Sequence, residues 1–192
     1  MKRFLASITI LSTLTLTACG SSSSSDSTVV STSTISTAGF NDSDVMFAQM
    51  MIPHHEQAIE MADMALDPTV GASADIVALA TQIKNAQDPE IAQMTSLLQG
   101  WKKPLTADDS DMDHSSMMSG MLSAEDMEKL GALTGAAFDE AWAAGMIAHH
   151  EGAVEMAQDV LADGSNTEVR TLAQAIVSTQ TAEIATLRAL LK

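Results

Sequence analysis

From about residue 41 onward, apolar side chains recur three and four positions apart, the period of helices that bury one face. Ile76, Leu79, Ile83, Met94 and Leu97 form one such stripe, and Val169, Leu172, Ile176, Leu187 and Leu190 form another. A third stripe is composed differently. With Met51 as origin and an advance of about 100° per residue, Phe47, His54, His55, Ala58, Met61 and Ala62 fall within an arc of about 120°, and Glu56, Glu60 and Asp63 lie opposite. Trp142, Met146, His149, His150, Ala153 and Met156 repeat that arrangement. Segments rich in Asp, Gly and Ser at 67–73 and 163–166 separate the members of each pair of stripes. The sequence has no sustained period-two run of β-branched residues to mark a strand. The pattern predicts an all-α domain of four principal helices.

Those helices form a duplicated pair. Residues 51–62 and 146–157 share one phrase, Met-Ile-x-His-His-Glu-x-Ala-x-Glu-Met-Ala, at an offset of 95. Asp44 and Phe47 align with Asp139 and Trp142 at the same offset; Leu79, Ile83, Gln87, Glu90 and Ile91 align with Leu172, Ile176, Gln180, Glu183 and Ile184 at 93. Two residues are therefore lost in the second connecting turn. Two helical hairpins of this kind bury their stripes by packing into a four-helix bundle. A linker over 101–122 joins the hairpins. Ser123 and Asp126 fit a capping box, and Gly131 and Gly135 interrupt the segment before the second histidine helix. Pro53 and Pro89 each remove a backbone donor inside a helix and should kink it or start a new turn. Ala148 and Ala182 take their places in the second hairpin, which should be straighter.

The N-terminal residues belong to no stripe. Lys2 and Arg3 precede an apolar stretch over 4–16, too short to span a membrane as a mature helix, and residues 1–18 read as a secretory signal. Leu16-Thr17-Ala18-Cys19 resembles a lipobox, in which the chain's only cysteine becomes a lipidated terminus; an ordinary cleaved signal is the alternative. Residues 19–40, mostly Ser, Thr and small side chains, form a tether to the domain at 41–192. The predicted location is the bacterial envelope, periplasmic or cell-surface, with the membrane contacted through the lipid. Removing residues 1–18 takes the net charge from −16 to about −18, which argues against nucleic acid as a partner.

With Cys19 acylated, a metal would be held by His, Met and carboxylate alone. Four of the five histidines lie in the two repeated pairs, beside thioethers, and that donor set suits a soft or borderline ion, copper above all. Glu90 and Glu183 project from apolar stripes, and a carboxylate there needs a partner. Counting residues from the turn puts His54 and Glu90 within about 7 Å in height, so the expectation is two His-His-Glu clusters with methionine nearby. The linker carries Asp108, Asp109, Asp111, Asp113, His114, Met112, Met117, Met118 and Met121, either a solvated loop or an exposed copper-collecting site. Two other readings stand beside metal binding: buried His–Glu pairs that only fix hairpin register, and a two-metal redox enzyme. The histidine helices lack the Glu-x-x-His of di-iron bundles. Nucleophilic catalysis has no free thiol and no recognisable serine motif.

At these residues the chain resembles the ferritin-like helical family called domain of unknown function 305. The resemblance covers about 40–192 and rests on Met51-Ile52-Pro53-His54-His55-Glu56, Gly135-Ala136-Ala137-Phe138-Asp139, Met146-Ile147-Ala148-His149-His150-Glu151, and the pairs Gln87-x-x-Glu90-Ile91 and Gln180-x-x-Glu183-Ile184. It implies a ferritin-like four-helix bundle and copper binding outside the cytoplasm, as in the CopM type, for sequestration, hand-off or tolerance. Met51, His54, His55 and Met61, with Met146, His149, His150 and Met156, would carry that role. Cu(I) is favoured, with iron as second candidate, and a periplasmic copper chaperone or exporter would be the protein partner. Ala144 and Gly145 stand where the first copy has Gln49 and Met50, leaving fewer thioethers near the second pair.

Overall fold

The computed structural model describes residues 39–107 and 118–192; residues 1–38 and 108–117, and with them Cys19, Met112, His114 and Met117, lie outside the described residues. The apolar stripes fold as four long helices and one short one, α1 (Asp42–Leu66), α2 (Ala74–Gly100), α3 (Ala124–Gly131), α4 (Gly135–Asp163) and α5 (Thr167–Leu190), and the described residues contain no strand. The helix α1 packs on α2 and α4 on α5, as two hairpins, which meet chiefly through α1 against α4. This is the expected bundle, with the short α3 starting at the expected cap Ser123 and separated from α4 across the Gly131–Gly135 stretch. Pro53 and Pro89 lie within the unbroken spans of α1 and α2. The lost residues resolve into two changes: the second turn is four residues shorter than the first, and α4 runs two residues beyond the equivalent end of α1.

Local chemistry sets the helix ends. Asn41 caps α1 in a reciprocal capping box with Asp44, and the Ser123 hydroxyl accepts from the Asp126 amide at the start of α3. Gly135 opens α4 with a φ of 57°, a conformation that costs glycine little. Asp44 does more than cap. Its fully buried carboxylate accepts from the Asn41 amide (2.9 Å), from the Ser165 amide and hydroxyl (3.1 Å each) and from the Asn166 amide (3.1 Å), so the start of α1 holds the turn of the other hairpin. Its repeat partner, Asp139, accepts from the Ser73 amide at 3.1 Å in the first turn.

The core is two apolar clusters. One gathers Val45, Phe47, Met51 and Ile52 with Met94, Leu97, Ala153, Val160, Leu172 and Ile176; the other gathers Ala58, Met61 and Ala62 with Leu79, Ile83, Phe138, Trp142, Met146 and Leu187. Trp142 Nε1 donates to the Met61 carbonyl at 2.9 Å, which fixes α4 against α1 in the second cluster. On each long helix the sequence passes from one cluster to the other through polar residues. Those residues form the site.

Candidate metal centre

The polar layer between the two clusters consists of His54 and His55 on α1, Gln87 and Glu90 on α2, His149 and His150 on α4, and Gln180 and Glu183 on α5. The four imidazoles are at most 1% exposed, and both glutamines are buried. The Glu90 and Glu183 side chains retain 17% and 12% exposure. Such a layer forms because Gln and Glu three apart, and His and His adjacent, interrupt otherwise apolar stripes at matching heights in all four helices.

The pairing differs from the sequence expectation in one respect. Glu90 accepts from His55 Nε2 at 2.8 Å, not from His54, and Glu183 accepts from His150 Nε2 at the same distance. Height alone does not choose between adjacent residues, which differ by about 1.5 Å along the axis. Direction does. Adjacent side chains diverge by about 100°, so the second histidine of each pair faces its hairpin partner and the first faces the other hairpin. His54 and His149 therefore meet across the α1–α4 seam, with ring centroids 3.8 Å apart and planes inclined at 40°. The two expected clusters are joined into one centre at that contact.

Their protonation follows from these partners. His54 Nε2 lies 3.2 Å from the Ser119 carbonyl, which can only accept, so Nε2 carries the proton and Nδ1 the lone pair. Burial, reinforced by His55 and His150 and opposed by the Ser119 carbonyl, lowers the His54 pKa from 6.5 to about 3. Burial likewise lowers His149 well below its ordinary value, with His54, His150 and His55 adding to the effect. Both are neutral imidazoles at physiological pH. Among the described residues, no hydrogen-bond partner meets the buried Nδ1 of His54, His55 and His150, the ring nitrogens of His149, the polar atoms of the Gln87 amide or the Gln180 oxygen. Native interiors rarely leave so many polar atoms unmatched in one layer.

The histidine centre is covered on one side by the end of the linker. Gln57 clamps Leu122 through two bonds, accepting from its amide at 2.8 Å and donating to its carbonyl at 2.9 Å. Gly120 has a φ of 86°, and a Cβ there would lie 2.2 Å from the Ala148 carbonyl oxygen. A Cβ on Gly152 would lie 1.7 Å from the Ser119 oxygen. Residues 119–122 thus sit directly on α4 and over His54. At the other end of the linker, Gln49 donates to the Pro104 and Thr106 carbonyls at 2.9 and 3.2 Å.

The remaining expected ligands distribute as follows. Met51 lies in the first apolar cluster, Met61 and Met146 in the second, and Met156 is half-buried against the first. Met118 and Met121 are half-buried beside the covering segment. Glu56, Glu60, Glu151 and Glu155 are exposed. Sequence reasoning missed Gln87 and Gln180 as members of the layer, although their recurrence three residues before each glutamate was a visible signal. Among the described residues, no three His, Cys, Asp or Glu side chains converge closely enough to hold a metal ion between them.

The family model for the domain of unknown function DUF305 matches residues 44–191. A DUF305 fragment from Deinococcus radiodurans is 32% identical, with a TM-score of 0.69 over 79% of this chain and 96% of that one. A DUF305 protein from Streptomyces coelicolor, described as secreted, is 31% identical, with a TM-score of 0.72 over 78% of this chain and 91% of the other. CopM in its Cu(I)-bound form is 31% identical, with a TM-score of 0.61 over 77% and 94%. CopM structures similar to this chain also include Cu(II)-bound, silver-bound and apo forms. No curated protein matches the chain.

Proposed function

The chain belongs to the DUF305 family, and from that premise we propose that it binds copper, as Cu(I) in preference to Cu(II), in the polar layer of its bundle. One observation carries the reading. Three of the four buried imidazoles have Nε2 tied to a carboxylate or a backbone carbonyl, and their Nδ1 atoms, in the interior, meet no partner among the described residues. That is the way proteins fix a metal-binding histidine: the far nitrogen donates outward, setting ring orientation and tautomer, and the near nitrogen keeps its lone pair. Imidazoles beside thioethers favour a soft monovalent ion, and such an ion can be held by two donors, fewer than the three-residue convergence that is absent among the described residues. The likeness to CopM, solved with Cu(I), Cu(II) and silver, supports the same class of cargo.

In this reading His54, His55, His149 and His150 hold the ion, Glu90 and Glu183 orient His55 and His150, and the buried Met51, Met61 and Met146 supply thioethers around them, with Met156 at the surface edge of the seam. Met112, His114, Met117, Met118 and Met121 collect ions for the bundle. The protein acts in the envelope, exported by residues 1–18 and anchored through Cys19, and passes copper to or from a chaperone or exporter. The secreted description of the Streptomyces relative supports export. No helix among the described residues is long and apolar enough to cross a membrane.

An anaerobic Cu(I) competition titration, with metal counted after gel filtration, tests the reading. Tight binding is expected, and it should be lost when all four histidines are replaced by glutamine; retention of the same copper by a folded quadruple variant would refute it. The structural alternative draws on the His55–Glu90 and His150–Glu183 pairs, each of which ties the two helices of one hairpin. It expects those replacements to destabilise the bundle and copper to leave its melting temperature unchanged.

A further inference from the structure

We propose a second, outer site for a monovalent soft cation, built from the thioethers of Met46, Met50 and Met156 at the surface of the α1–α4 seam. These three side chains line one cavity of about 410 Å³ together with Phe47, Val160 and the carboxylates Asp159 and Asp163. Met46 and Met50 are four residues apart on α1, which sets their Cβ atoms about 5–6 Å apart on one face, and Met156 enters from α4. Three flexible thioethers around an open apolar recess form a donor set for Cu(I) or Ag(I) and a poor one for magnesium, calcium or zinc. Met46 is 44% exposed, so an ion can reach this recess from solvent. Asp159 makes no ion pair among the described residues and leaves its charge to draw a cation to the rim.

The placement of the recess gives it a role. Met46, Met50, His54 and Gln57 follow one another along α1 at spacings of four, four and three residues, so they share a stripe. Asp163, Asp159, Met156 and Gly152 share the facing stripe of α4. The recess ends one helical turn from His54, where residues 119–122 begin to cover the seam. An ion held by the three methionines is therefore poised on the seam about one helical turn from the buried histidines.

The duplication supplies an internal control. The repeat equivalents of Met46, Met50 and Met156 are Ala141, Gly145 and Met61. At that second place two thioethers are missing, Met61 is fully buried, and the Leu122 side chain lies 3.4 Å from where a Gly145 Cβ would sit. Among the described residues, only one of the two duplicated recesses has both the donors and the opening, so ions should load from one end of the seam.

The proposal rests on the chain handling a soft cation but not on the histidines being its final holder, and one experiment separates the two. The full chain is labelled with ¹³C at the methionine methyls and titrated with silver nitrate as a diamagnetic probe. Methyl and histidine-ring resonances are followed together. The methyls of Met46, Met50 and Met156 should shift in concert, with a single apparent affinity, and M46L/M156L should abolish the Met50 shift while the melting temperature holds. Leucine conserves the volume, so the variant keeps its packing. If the three methyls stay still while the rings respond, the outer site is refuted and the copper reading stands. If they respond while the rings stay still, the outer site stands and the histidine reading falls. Met50 shifting unchanged in M46L/M156L would also overturn the three-thioether site.

Discussion

Acidifying the metal-free protein from pH 7 to pH 5 should cost it stability through its buried histidine rings, His54 foremost. His54 has an ordinary pKa of 6.5 when the chain is unfolded and about 3 when folded. Because the folded value is the lower, the unfolded chain binds more protons throughout the window between them. The contribution is fully present above pH 6.5 and is lost as pH falls toward about 3. Integrated from pH 7 to pH 5, the loss is about 2 kcal/mol from His54 alone, and it grows by about 1.4 kcal/mol for each further unit. His149, lowered in the same direction by the same burial, adds to it. In a domain of this size about 2 kcal/mol corresponds to about 4–8 °C in melting temperature. Thermal melts followed by circular dichroism, in chelator at pH 7, 6 and 5, measure the effect. The His54→Gln variant isolates it, since glutamine keeps a polar group in the layer and does not titrate. Its melts should lose about 2 kcal/mol of the pH dependence. Identical pH dependence in the variant and the parent would refute the reasoning. The same low pKa means that protons do not compete for the His54 lone pair above about pH 4, so a cation held there should stay bound in mildly acidic surroundings.

Two further outcomes follow from the geometry. Gly152→Ala should destabilise the chain by about 1–3 kcal/mol, because the added carbon meets the Ser119 oxygen. Gly145→Ala, whose added carbon meets only the Leu122 and Met61 side chains at 3.4 Å, should leave stability unchanged or raise it by up to about 1 kcal/mol; urea denaturation distinguishes them, and equal effects would remove the covering segment from the account. Asp44→Ala should cost about 3–5 kcal/mol, since it strips partners from buried amides in the turn of the other hairpin. Asp139→Ala should cost about 1 kcal/mol, since a single amide loses its acceptor, and equal melting temperatures for the two variants would contradict the fastening role given to Asp44.

Much of this arrangement was legible in the residues because the sequence states it twice. The stripes through Ile76–Leu97 and Val169–Leu190 gave the hairpins, and the repeated histidine pairs and lone glutamates marked where the apolar faces break. What the pattern could not supply was the partner of each ring. Sequence spacing assigns height along a helix well and rotation between helices poorly, so Glu90 was matched to His54 when the adjacent His55 faces it. The contact between His54 and His149 joins residues 95 apart on separate hairpins, and no local periodicity encodes it. Gln87 and Gln180 were visible as repeats but read as ordinary polar positions, since glutamine on a stripe carries no sign of its burial.

The places where the two copies disagree are as informative as those where they agree. Gln57 and Gly152 are repeat equivalents, yet one clamps Leu122 and the other vacates the space that Ser119 fills. Ala148, the equivalent of Pro53, offers the carbonyl against which Gly120 packs. Met46 and Met50 face an open recess, and Ala141 and Gly145 leave the corresponding place to Leu122. A duplicated hairpin with identical halves would give a symmetric centre approached equally from both ends. Here these departures from symmetry fall on the same seam, closing one end over the histidines and lining the other with thioethers. The paired imidazoles follow from the duplication, and the direction in which an ion reaches them follows from its erosion.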